Sequence, residues 1–172
     1  TLNYSSAGIG SSSHLAPELL AMMTGINIVH VPYKGGGPGL VDLLSGQMQF
    51  MMTTTPAAMP HVKSGKIRAL ATTGLRRSAF LPNVPTVAES GFPGFSATNW
   101  YAFVASAKVP KPVLDRWNQE IVKVLKSPDV VEQLNTHGLT PQPSSREDLA
   151  KLIRDEYATY GRVIKARNIK AE

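Results

Sequence analysis

The sequence predicts an α/β fold: a small parallel sheet flanked by helices, then a mostly helical second part. Two observations carry this prediction. Through residues 1–74, strand-length apolar or β-branched runs alternate with helix-length segments, and each helical segment stops at a glycine. After residue 95 the alternation gives way to amphipathic stretches of helical period.

Leu2–Ser6, Ile26–Tyr33, Met48–Thr55 and Ile67–Thr73 read as strands. Between them, Leu15–Thr24, Pro38–Ser45 and Pro56–Ser64 read as helices that end at Gly25, Gly46 and Gly65. Glycine accepts the left-handed conformation that follows a helix. Pro38 and Pro56 suit a first turn, where the missing N–H has no intrahelical partner to lose. Strand–helix–strand repetition with short links implies parallel strands joined by right-handed crossovers. Residues 75–95 form a turn-rich connector, with Leu81-Pro82, Val84-Pro85 and Gly91-Phe92-Pro93-Gly94. Phe95–Ser106 reads as a further strand holding Trp100, Tyr101 and Phe103. Pro112 then opens a helix with an apolar stripe of Val113, Leu114, Trp117, Ile121, Val124 and Leu125. A short helix runs from Pro128 to Gly138. A last one opens on a capping box within Ser144–Asp148 and turns Leu149, Leu152, Ile153, Tyr157, Tyr160 and Ile164 to one face.

An amphipathic helix gains most of its stability by burying its face, and one strand is too little cover for these late helices. Thr1 is not a start methionine, and a strand begins at once. The expectation is therefore a fragment of a two-domain protein. Residues 1–95 would be an α/β ligand-binding domain. Residues 96–172 would be a crossing strand and the helical C-terminal part of the other domain, incomplete here. A second copy of the chain is the other candidate cover, which makes self-association an expectation to test.

Composition narrows the function. The 172 residues are 42% hydrophobic, no apolar run approaches the roughly 18–20 residues of a membrane span, and no signal peptide is visible. Cysteine is absent, which excludes disulfides, thiolate metal sites and a cysteine nucleophile. The net charge of +6 is spread, with six Lys/Arg against three Asp/Glu in residues 1–100 and twelve against nine thereafter. Without a dense basic run this is a mildly basic surface and no nucleic-acid footprint, although it attracts small anions at long range.

The most informative stretch is Tyr4-Ser5-Ser6-Ala7-Gly8-Ile9-Gly10-Ser11-Ser12-Ser13-His14-Leu15, which follows a strand and precedes a helix. A helix N-terminus presents unpaired N–H groups and partial positive charge. Gly8 and Gly10 let the backbone approach a ligand, and Ser6, Ser11, Ser12 and Ser13 add hydroxyls, a combination that suits a carboxylate or phosphate. A tight turn with a serine cap and no ligand fits the same residues. Two more turns follow strands at the same sheet edge: Pro32-Tyr33-Lys34-Gly35-Gly36-Gly37-Pro38 and Thr53-Thr54-Thr55-Pro56. Ligands of parallel sheets bind beyond the carboxyl ends of the strands, so Tyr33, Lys34, Gly35, Thr53 and Thr54 join the candidate site. Singly, Lys34 also reads as a solvated charge and Thr55 as a cap.

Other chemistry is thin. Gly8-x-Gly10-x-x-Ser13 lacks the third glycine of a dinucleotide fingerprint, and Gly35-Gly36-Gly37 lacks the Gly-Lys-Ser/Thr of a P-loop. No cofactor is implied. His14 has no acidic orienter visible in sequence and reads as a helix-start residue. His30, His61 and His137 lack paired metal-ligand spacing. Glu18 and Asp42 read as solvated or capping helix residues, Trp100 as core or crevice lining, and Met48, Met51 and Met52 as strand core. No catalytic set emerges.

The run Tyr4–Glu18 resembles the Tyr-x-Ser-x-Gly-x-Gly-Ser-x-x-His-Leu-x-x-Glu pattern of the Bug family, the extracytoplasmic solute receptors of tripartite tricarboxylate transporters. Val31–Gly35, Asp42–Gln47, Lys66–Ala71, Pro85–Gly91 and Trp100 resemble it too, in order. Gly37 departs from the small residue, often alanine, that the family has before the proline. The resemblance covers nearly the whole chain. It implies a periplasmic-binding-protein-like (type II) fold of two α/β domains. It also implies periplasmic capture of a small carboxylate (a dicarboxylate, amino acid or aromatic acid) without chemistry, and delivery to membrane subunits of the transporter. An enzyme acting on an anionic substrate at the same edge, and a pure interaction domain, remain the alternatives.

Overall fold

The computed structural model describes residues 1–170. Three parallel strands, β1 (Leu2–Ser6), β2 (Ile28–Pro32) and β3 (Phe50–Met51), form a sheet in the order β2-β1-β3. Tyr4 lies opposite His30 on one side and Phe50 on the other. Helices α1 (Ser12–Thr24), α2 (Gly36–Leu44) and α3 (Thr55–Lys63) follow the three strands in turn. The central strand is covered on both faces. Tyr4 reaches Glu18 of α1 on one face, and the Ser5 hydroxyl donates to the Gly39 carbonyl of α2 on the other (3.0 Å). Opposite faces for successive crossovers are what right-handed connections require once the order reverses across β1. β1 loses its polar alternation as a result, and Tyr4, Ser5 and Ser6 are all buried.

The chain divides into two compact units, one of residues Thr1–Asn99 together with the chain from Ala158 onward, the other Trp100–Tyr157. In the first unit the main core joins Ala16 and Leu19 of α1 to Val87 and Phe95 of the connector, to Ala97 just beyond it and to Val163. A second cluster holds Tyr4, Ala21 and Ile28, with Phe50 against it. The connector read as turns is thus a core-former. It is pinned by a reciprocal cap: the Thr86 N–H donates to the Glu89 carboxylate (2.7 Å), and the Glu89 N–H to the Thr86 hydroxyl (3.0 Å). The second unit contains α4 (Lys111–Leu125), α5 (Pro128–Thr136) and the start of α6 (Arg146–Ala166). Asp115 pairs with Lys111 and Arg146, and the Trp100 indole donates to Glu156 (2.9 Å).

Several strand expectations are corrected. Ile67–Thr73 forms no ladder beyond one bridge, Thr72 to Thr86. The Thr72 N–H goes to Pro85 and the Thr73 carbonyl accepts from Ala97, so its bonds serve the connector instead of β3. Phe95–Ser106 has no regular secondary structure. Its β pattern is real, but no strand among the described residues pairs with it, and Tyr101, Phe103 and Val104 stand exposed. Met48–Thr55 shrinks to Phe50–Met51. On the last helix the fully buried residue is Val163, while Leu152, Ile153, Tyr157 and Ile164, placed on the apolar face by periodicity, are exposed.

Candidate functional site at the sheet edge

All three strand–helix turns open at the carboxyl edge of the sheet. The crossover order places the reversal of connection between β1 and β3, the position where parallel sheets leave a crevice. The first turn, residues 7–11, is built from the inside. Gly8 and Gly10 take positive φ of 129° and 77°. The Ser6 hydroxyl, fully buried, accepts from the Gly8 N–H (3.1 Å) and meets the His30 Nε2 (2.6 Å). The Ser13 hydroxyl accepts from the Ala7 N–H (2.9 Å), and the Ser11 hydroxyl donates to the Gly8 carbonyl (2.7 Å). The Gly10 N–H donates to His14 Nδ1 (3.0 Å).

These bonds sort the expected site residues. Ser6 lies under the loop, and the hydroxyls of Ser11 and Ser13 hold its shape. The structure therefore turns three of the four expected hydroxyls inward. No hydrogen bond among the described residues uses the N–H groups of Ile9, Ser12 and Ser13, or the hydroxyl of exposed Ser12. Ser11 is the N-cap residue but makes no side-chain cap, so the N–H groups of Ser12 and Ser13 at the start of α1 have no partner among the described residues.

The second turn is stitched to the first. The Tyr33 N–H donates to the Ser6 carbonyl (3.1 Å) and the Gly35 N–H to the Ala7 carbonyl (3.1 Å). Gly35 has a positive φ of 101° and is the N-cap of α2, two residues earlier than the sequence suggested. The Tyr33 hydroxyl donates to Asp42 (2.5 Å), which raises its pKa and occupies both groups. Lys34 is exposed at this edge. In the third turn Thr54 caps α3 by position without a side-chain bond, and Thr53 precedes it, half-buried. None of α1, α2, α3 and α4 carries an acidic residue in its first turn, whereas α5 and α6 carry Asp129, and Glu147 with Asp148. The positive ends of the three sheet helices are thus left uncompensated at one edge.

Beneath the loop lies a buried polar cluster that sequence reasoning missed. The Tyr4 hydroxyl donates to Glu18 (2.7 Å), and Arg167 donates to the other oxygen of the same carboxylate (2.5 Å). Burial, then the bond to Glu18, pushes the Tyr4 pKa up and keeps the phenol a donor. Glu18 is a buried, paired charge and no solvated helix residue. The His14 ring stacks on His30, centroids 3.7 Å apart and planes 8° apart. Burial lowers the pKa of both, that of His30 to about 4, with the neighbouring His14 as its second cause. The signal for Glu18 was present in sequence, since it stands one helical turn from His14 on the face that carries Leu15 and Leu19, but its partner Arg167 is 149 residues away.

A parallel sheet with three helix N-termini that lack side-chain caps at one edge is an arrangement common to α/β folds with a crevice at the carboxyl edge. The family model that matches, over residues 1–169, is that of the tripartite tricarboxylate transporter family receptor, and the chain belongs to this family. BugT of Bordetella pertussis is 36% identical over 162 residues, which cover 94% of this chain and 50% of BugT. A solved R. palustris protein with adipate has a TM-score of 0.85 at 33% identity, covering 98% of this chain and 56% of that one. MatC from Rhodopseudomonas palustris, with bound malate, has a TM-score of 0.79 at 31% identity, covering 95% and 56%. The α/β, periplasmic-binding-protein-like fold is therefore shared with these structures. The chain spans about half the length of the first curated relatives it matches.

Proposed function

We propose that this chain supplies one jaw of a periplasmic receptor that captures a small carboxylate for the membrane subunits of a tripartite tricarboxylate transporter and does not transform it. The observation that carries the reading is the convergence of three helix N-termini, all without first-turn acids, on one sheet edge. The free N–H groups of Ser12 and Ser13, with the Ser12 hydroxyl, bind the carboxylate. Lys34 and the Gly36 and Gly37 amides flank it from the start of α2, with Gly35 shaping the turn, and Thr53 and Thr54 flank it from α3. The adipate and malate held by structural neighbours point to a dicarboxylate as the ligand class. The opposing jaw comes from sequence beyond this chain, which would also supply strand partners for 95–106 and divide the whole protein near residue 95. No helix among the described residues is long and apolar enough to cross a membrane. Isothermal titration of the full-length protein against malate, adipate, an aromatic acid and an amino acid tests the proposal. Saturable heat with one class of carboxylate is expected; none with any of them overturns it.

A further inference from the structure

The loop that carries the proposed site is held from below by two imidazoles, and their chemistry has a consequence for binding. His14 Nδ1 accepts from the Gly10 N–H, so this nitrogen is unprotonated and the ring is neutral with its proton on Nε2. His30 completes a column of rings across the sheet: Phe50 on β3, Tyr4 on β1, His30 on β2, then His14 from α1. The same His30 meets the Ser6 hydroxyl that accepts from Gly8. Both glycines that shape the turn are therefore tied, directly or through Ser6, to the stacked pair.

We propose that His14 and His30 are positioning residues for the carboxylate loop, and that proton uptake by the pair releases the Gly10 amide and weakens the bound ligand. The inference rests on the reading of this loop as the carboxylate site. A proton on Nδ1 turns the acceptor into a donor facing another donor, so the Gly10 N–H must swing away. Two cations in face-to-face contact repel strongly at such a separation. The groups facing the pair do not cancel this. Glu18 is already engaged by Tyr4 and Arg167, and Arg167 and Lys170 add positive charge from the end of the chain. A recess of about 270 Å³, lined by Ile9, His14, Glu18, His30, Arg167 and Lys170 among others, gives solvent protons a route to the rings. Burial keeps both rings neutral at neutral pH, so the loop is set for binding there and loosens in acid.

The test uses full-length protein with malate and adipate as probes, reading affinity across about pH 7 to 4 and the amide exchange of Gly10. His14→Phe keeps a ring on His30 but removes the acceptor, whereas His14→Asn keeps an acceptor and cannot titrate. The expectation for His14→Phe is faster Gly10 exchange and affinity weaker by about tenfold, the worth of one hydrogen bond. His14→Asn retains more of both. Wild-type affinity falls with pH more steeply than protonation of the dicarboxylate probe alone imposes, and either variant flattens that excess. Unchanged Gly10 exchange and an unchanged pH profile in the variants overturn the proposal. If His14→Phe does not fold, the pH profile of His14→Asn decides: flattened supports, retained overturns. If the wild type binds neither probe, the receptor reading is what fails. Gly10 exchange then decides positioning alone, since protection lost in His14→Phe and kept in His14→Asn supports it, and protection equal in all three overturns it.

Discussion

At Gly8 the loop needs a backbone that a side chain resists. Its φ is 129°, and an added Cβ would stand 3.4 Å from the Tyr33 carbonyl. Gly8→Ala is expected to cost about 1–3 kcal/mol, seen as a lower melting temperature, because a non-glycine residue is strained there. The histidines predict a pH response of the fold itself. Both have folded-state pKa values below the ordinary 6.5, His30 near 4, so the unfolded chain binds more protons between those values. Their contribution to stability is complete above about pH 6.5 and is lost as pH falls toward about 4. Denaturant titrations from neutral to acid pH check this, and His30→Gln should reduce the slope. At this scale the sequence was a partial guide. The glycine turns and the free amide at Ser12 follow from a strand–glycine–serine–helix order. The inward turn of Ser6, Ser11 and Ser13 does not, because a hydroxyl serves the loop as readily as a ligand and only coordinates separate the two.

Two elements hold the sheet edge in place. α2 lies so close to β1 that a Cβ on Gly39 would come within 3.0 Å of Ser5 Cβ. Gly39→Ala is expected to destabilise by about 1–3 kcal/mol through overpacking and to disturb the Tyr33–Gly35 turn, which is bonded to Ser6 and Ala7. α1 is fixed by the end of the chain, through Val163 in its core and Arg167 on buried Glu18. Arg167→Ala strands that carboxylate and should cost roughly 3 kcal/mol by thermal or chemical unfolding, and the double variant with Glu18→Gln should recover part of the loss. Helices were legible in the sequence to within a few residues because their caps, prolines and terminal glycines are local. The strands at 67–73 and 95–106 were not, since a ladder requires a partner, and apolar alternation only says that one would be accepted.

For the molecule as a whole, the order β2-β1-β3 does what no single turn does: it brings three uncompensated helix N-termini to one edge around the reversal at β1 and β3. The alternation of strands and helices foretold the shared edge. The buried Glu18–Arg167 closure, which spans the chain, was out of reach of any local pattern. If the rest of a receptor covers residues 101–104, their amide exchange should be slow in the full-length protein and fast in the 172-residue chain alone. The most direct test of the carboxylate site is the affinity of full-length wild type and Ser12→Pro for malate and adipate. Ser12 is the first residue of α1, where proline is tolerated, and Ser11 before it already has an extended ψ of 160°. The substitution removes an unpartnered N–H and the hydroxyl with little effect on the fold. A loss of roughly ten- to a hundredfold in affinity at an unchanged melting temperature is predicted, the worth of a hydrogen bond to a charged group. An unchanged affinity would remove this loop from the site and contradict the account.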